Sequence, residues 1–144
     1  MREILFRGKR IDNGELVEGG YFLEPYTNQP FITCWNSFGL GFIEQFRVIP
    51  ETVGQYTGLK DKNGKRIFEG DIVKHYNCMQ EPDAYDVGYI YFYDKYCKWK
   101  RTTSDRRYNP THAEKFNPEI SSVGKYEVIG NIHDNPKLME VNND

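Results

Sequence analysis

The sequence predicts a mostly-β protein, and three observations carry that expectation. Aromatic residues make up 15% of the 144 positions, as 11 Tyr, 9 Phe and 2 Trp, and 11 Ile, 8 Val and 7 Thr join them. Rings and β-branched side chains fit a pleated surface. The best helix formers are scarce, with 2 Ala and 6 Leu, which excludes a helix bundle or coiled coil. Short alternating stretches are also bounded by Gly, Asn, Asp and Pro, the punctuation of strands and turns.

The elements follow in order. Glu3 to Arg7 alternates around Ile4 and Phe6, Asp12-Asn13-Gly14 signals a turn, and Leu16 to Phe22 returns as a second strand. Gly19-Gly20 suggests a bulge or close backbone approach. A short strand is expected at Phe31 to Thr33, and another over Phe42 to Ile49, stopped by Pro50. Thr52 to Tyr56 leads into a long turn from Gly58, where Asn63-Gly64 is a strong hairpin dipeptide. Glu69-Gly70-Asp71 reads as a tight corner, in which Gly70 permits the bend and Asp71 accepts from the turn backbone. Ile72 to Tyr76 and Val87 to Tyr93 are strands, the latter with Tyr89, Tyr91 and Tyr93 on one face and Ile90 and Phe92 on the other. Tyr96 to Thr102 pairs back, residues 103–122 form a long polar excursion, and Tyr126 to Ile132 is the last strand. Asn135-Pro136 then opens a short terminal helix.

No apolar run approaches the roughly 18 residues of a membrane span, and the opening residues lack a secretory pattern. Cys34, Cys78 and Cys97 are odd in number and widely spaced, which suits a reducing cytoplasm and thiols acting as small hydrophobes. Net charge is −2. Residues 95–107 nonetheless hold Lys95, Lys98, Lys100, Arg101, Arg106 and Arg107 against Asp105 alone.

Three blocks are more specific than composition: MREILFRGKR at the start, PETVGQYTGLKDKNGKRIFEGDIVK from Pro50 to Lys74, and VIGNIHDNPKLM from Val128 to Met139. In this order, spanning nearly the whole chain, they resemble the YopX family of phage and prophage proteins. The resemblance implies a small N-terminal β unit, residues 1–50, packed on a C-terminal SH3-like barrel, residues 51–144. It also implies a phage- or prophage-encoded protein working in a bacterial host. It brings no catalytic residues with it.

The residues themselves show no nucleophile motif around His75, His112 or His133, and no standard metal spacing around Asp71, His75 and Cys78 or His133-Asp134. Gly39-Leu40-Gly41 is no phosphate loop, and Lys60, Lys62 and Lys65 read as a solvated turn. The expectation is a non-enzymatic binding module with a protein partner and no cofactor or metal; self-association is open. The alternative is a single-stranded nucleic-acid binder using the basic-aromatic segment 91–108. There Lys95, Lys98, Trp99, Lys100, Arg101, Arg106, Arg107 and Tyr108 would combine phosphate contacts with stacking rings. The bland reading of the same segment is a core face opposite a solvated one.

Overall fold

Strands form where apolar and polar side chains alternate, and they stop at the turn residues. The computed structural model describes residues 1–35, 43–76, 83–103, 113–122 and 125–142. The strands of the first half are β1 (Phe6–Lys9), β2 (Leu16–Leu23), β3 (Pro30–Trp35), β4 (Ile43–Arg47) and β5 (Gly54–Lys60). Those of the second half are β6 (Arg66–Phe68), β7 (Asp71–Tyr76), β8 (Tyr85–Tyr93), β9 (Lys98–Arg101) and β10 (Lys125–Asn131). Short 3-10 helices sit at Pro50–Thr52, Asp94–Tyr96, Glu114–Phe116 and Pro136–Asn142. The protein is therefore mostly β, with a helical turn after Asn135. The chain divides into two units, Met1–Gly58 and Leu59–Asp144. The division comes inside β5, where the sequence reading set it after Pro50.

In the first unit the strand order is β4-β3-β2-β1-β5. The β1–β2, β2–β3, β3–β4 and β1–β5 pairs are all antiparallel. Pairing places Tyr21, Ile32 and Phe46 side by side on one face, and on that face Ile32 and Val48 are fully buried. The sheet curls until Arg10 bridges Val48, and the Ile49 N–H donates to the Lys9 carbonyl at 2.8 Å. At Gly19 a Cβ would overlap the Thr33 carbonyl oxygen, so the close approach suggested by the Gly pair is present. The strand after Val53 runs on through Lys60, past the point where the sequence suggested a turn, because β5 is hydrogen-bonded to β6.

The second unit contains an antiparallel sheet in the order β10-β7-β8-β9. Its edge strands β10 and β9 do not pair with each other among the described residues. The expected barrel is thus an open sheet here. Both edges are covered instead, which removes the unpaired backbone that invites aggregation. Along β9, Arg101 N–H donates to the Pro118 carbonyl at 3.1 Å and Ile120 N–H to the Trp99 carbonyl at 3.2 Å. Part of the expected excursion therefore returns as a bonded strip; residues 104–112 lie outside the described residues. Along β10, Lys62 N–H donates to the Tyr126 carbonyl at 2.9 Å.

One face of this sheet carries the core: Ile67, Val73, Ile90 and Tyr126, with Leu59, Trp99, Ile120 and Val128 packed against them. The corner before β7 is built as its residues suggest. Gly70 has φ +88°, and Asp71, 1% exposed, accepts from Phe68 N–H at 2.8 Å. Gly70 N–H donates to the Ile90 carbonyl at 2.8 Å, and its carbonyl accepts from Ile132 N–H at 2.9 Å. The second and third recognisable blocks of sequence meet at that peptide.

The turn at Asn63-Gly64 is held by a neighbour the sequence reading passed over. Asp61 Oδ1 accepts from Asn63 and Lys65 N–H, both at 2.9 Å, with Gly64 at φ +80°. Its Oδ2 accepts from Val128 N–H at 3.0 Å, beside the register shift of β10 between Val128 and Gly130. Asp61→Ala leaves three backbone donors without this acceptor, and should lower the unfolding free energy by about 2–3 kcal/mol. Urea denaturation checks this: the midpoint should fall with an unchanged slope, and a change under about 0.5 kcal/mol would mean that water replaces the carboxylate.

Candidate functional site

The densest group of ionisable side chains lies at one end of the core face of the second sheet. Pairing puts His75 opposite both Asp86 and Tyr126, and Arg101 reaches them from β9. Arg101 Nη1 donates to Asp86 Oδ2 at 2.7 Å, and Thr103 Oγ1 donates to the same oxygen at 2.5 Å. Arg101 Nη2 lies 3.0 Å from His75 Nδ1, which in turn lies 3.5 Å from Asp86 Oδ1. The His75 ring packs on Tyr126 with centroids 5.2 Å apart. Arg101 is only 3% exposed.

This geometry constrains the chemistry. His75 Nδ1 thus lies between the Arg101 guanidinium and the Asp86 carboxylate. Burial pushes the Asp86 carboxyl up, but the neighbouring His75, the Arg101 charge and the Thr103 hydroxyl outweigh it and hold it at about 2. Arg101 Nε is buried without a hydrogen-bond partner among the described residues, so the ion network leaves one of its donors unmet. Among the described residues no group of His, Cys, Asp and Glu could hold a metal.

The basic-aromatic residues singled out in the sequence do not share one surface. Lys95 is exposed on the 3-10 turn Asp94–Tyr96, 5.4 Å from the Tyr96 ring centroid. Lys98 pairs with Glu119 at 2.6 Å. Trp99 turns to the core and meets Phe92 edge-on, with centroids 4.9 Å apart. Lys100 lies on the opposite face, 4% exposed. Its ammonium donates to the Lys115 carbonyl at 3.0 Å and sits 4.3 Å from the Tyr93 centroid. Arg101 belongs to the ion network. Arg106, Arg107 and Tyr108 lie outside the described residues, as do Cys78, His112 and Gly39-Leu40-Gly41. The expected division of β8 holds in part: Ile90 is buried, while Phe92 is 36% exposed.

The ion network was missed because its members come from three strands. A signal existed. Asp86 shares the alternation of Ile90, and Arg101 that of Trp99, so opposite charges fall at inward positions of neighbouring strands.

Fold and site together define a two-unit β protein with a partly buried cluster of Asp86, Arg101 and His75 in its second unit. The YopX protein family model matches residues 5–140, and the chain belongs to the YopX family. It is similar to the crystal structure of protein EF1440 from Enterococcus faecalis, at 22% identity and a TM-score of 0.54, over 96% of this chain and 99% of that one. At that identity the likeness is one of fold. No curated protein matches the sequence.

The carboxyl of Asp86 is held below its ordinary 3.8, so its contribution to stability is fully present above that value. It is lost as the pH falls toward 2, and amounts to about 2 kcal/mol. Denaturation between pH 6 and pH 2 should show this loss in the wild type and a flatter profile in Asp86→Asn. Parallel profiles would remove Asp86 from the acid sensitivity.

Proposed function

We propose that this chain is a non-enzymatic accessory protein, encoded by a phage or prophage, that binds a protein partner in the bacterial cytoplasm. The observation that carries this reading is an exposed apolar run in the first unit. Tyr21, Phe22 and Leu23 at the end of β2 are 41%, 49% and 44% exposed, and Tyr26, in the turn that follows, is 94% exposed. Alternation should hide one side of a strand, so three consecutive exposed hydrophobic residues are out of keeping with packing alone. Tyrosine and phenylalanine are also the residue types that interfaces favour.

A groove of about 410 Å³ lies elsewhere along β2, lined by Leu5, Glu18, Gly19, Gly20, Thr33, Cys34 and Ile43. Burial pushes the Cys34 thiol up, so it serves as a small apolar wall. The lack of a nucleophile motif around the histidines in the sequence supports the non-enzymatic part of the reading, and the family's association with phages and prophages supports the origin. We read the second unit as an opened relative of the SH3-type barrel: a small antiparallel sheet entered at a Gly-Asp corner, with irregular segments along both edges.

Replacing Phe22 and Tyr26 by Ser tests the proposal. Both side chains are exposed, so the urea midpoint should stay within about 0.5 kcal/mol of wild type. Affinity capture from infected, nuclease-treated cells should recover a protein with the wild type and lose it with the double variant. Recovery that is equal in both, or that disappears on nuclease treatment, overturns the reading.

A further inference from the structure

The face of the second sheet opposite Tyr126 and Val73 is buried at Ile72 and Val87, but its far end carries a second constellation, which the sequence scatters over more than sixty positions. Lys125, Tyr76 and Tyr85 face one another across β10, β7 and β8, and directly paired residues share a face. The next row along the strands is Glu127, Lys74 and Val87. The two rings lie 5.7 Å apart, centroid to centroid, and Tyr85 is 50% exposed. Lys74 Nζ sits 4.5 Å from the Tyr85 centroid and Lys62 Nζ 4.4 Å from that of Tyr76. The Asp61 clamp brings Lys62 here by fixing its loop along β10, and Lys60 and Lys65, both exposed, belong to the same stretch.

The one carboxylate in these two rows is already engaged. Glu127 accepts from the Tyr76 hydroxyl at 2.7 Å and pairs with Lys62 at 3.3 Å. Glu127 also stands opposite Lys74 and feels its charge, so Lys62, Lys74 and Lys125 share this one carboxylate in the two rows. The corner therefore presents two neighbouring rings and an excess of cations on an otherwise acidic chain. Rings that stack on bases, beside cations that follow phosphates, are the combination that holds unpaired nucleic acid. A duplex keeps its base faces stacked away.

We propose that this corner binds single-stranded nucleic acid, with Tyr76 and Tyr85 stacking on bases and Lys62, Lys74 and Lys125 contacting phosphates. On binding, a base takes the exposed side of Tyr85 and the lysines turn to the backbone. The site is on the second unit and does not rest on the protein-binding reading of the first.

The test is a titration of fluorescently labelled (dT)12 with the full chain at 20–200 mM salt, read by anisotropy. Three neutralised phosphates give a slope of log K on log salt of about −2. The Lys74→Ala, Lys125→Ala double variant should bring the slope to about −0.7. Tyr85→Leu should weaken binding about 5- to 100-fold with the slope unchanged, and Tyr85→Phe, which keeps the ring, should restore it. The proposal is overturned if (dT)12 does not bind at 20 mM salt, or if Tyr85→Leu binds like the wild type. It is equally overturned if poly-glutamate of the same length competes as well as unlabelled (dT)12, which would make the corner a site for acidic protein.

Discussion

The second unit is organised around the carboxylate of Asp61. Its two oxygens accept three backbone N–H groups, two from its own turn and one from Val128, 67 residues away. A register shift in an antiparallel pair leaves a backbone group without its ladder partner, and here the Val128 donor is satisfied by a side chain from another loop. One group thus closes the turn, repairs the irregularity in β10 and covers that strand's outer edge. It also settles where Lys62 stands, and with it the charge on the corner beside Tyr76. Remove the carboxylate, and the edge, the irregularity and the lysine lose their common support.

The same economy explains the blocks by which the family is recognised. Gly70 and Asp71 lie in one block and Ile132 in another, and they meet through backbone bonds at the Gly70 peptide. In the closing block, the Asn131 carbonyl oxygen of the side chain accepts from His133 and Asp134 N–H at 3.0 and 2.9 Å, and Asn135 returns a bond to Asn131 N–H at 3.3 Å. These are turn-forming arrangements of short polar side chains. What is most recognisable in this chain is the wiring of corners, and the rings of the two proposed surfaces, Tyr21, Phe22 and Tyr26 on one and Tyr76 and Tyr85 on the other, lie outside the three blocks.

That distinction also accounts for what could be read from the chain. Gly70-Asp71 and Asn63-Gly64 were legible because a turn is settled by residues within about four positions of one another. The face shared by Tyr89, Tyr91 and Tyr93 was legible because a strand repeats every two residues. Lys100 and Arg101 were not. As sequence they are two more members of a basic run, but register sets one against Tyr91 and the other against Ile90. One then points to each side of the sheet, and each is buried against carbonyls or an aspartate. Linear charge density is a property of the chain, whereas a charged surface is a property of the pairing.

The pairing therefore moves the search for polyanion contact from one end of the sheet to the other. Along β9 the cations are consumed: Lys98 by Glu119, Lys100 by backbone carbonyls, Arg101 by Asp86. Along β7 and β10, Lys74 and Lys125 face solvent-accessible tyrosines instead. A cation already in a short, partly buried bond must break it before meeting a phosphate, and that cost offsets the gain. An exposed lysine over a ring gives up only a weak contact, on the order of 0.5–1 kcal/mol. The difference lies in what each cation must release: Lys74 and Lys125 at the tyrosine corner give up less than the buried Lys100 and Arg101.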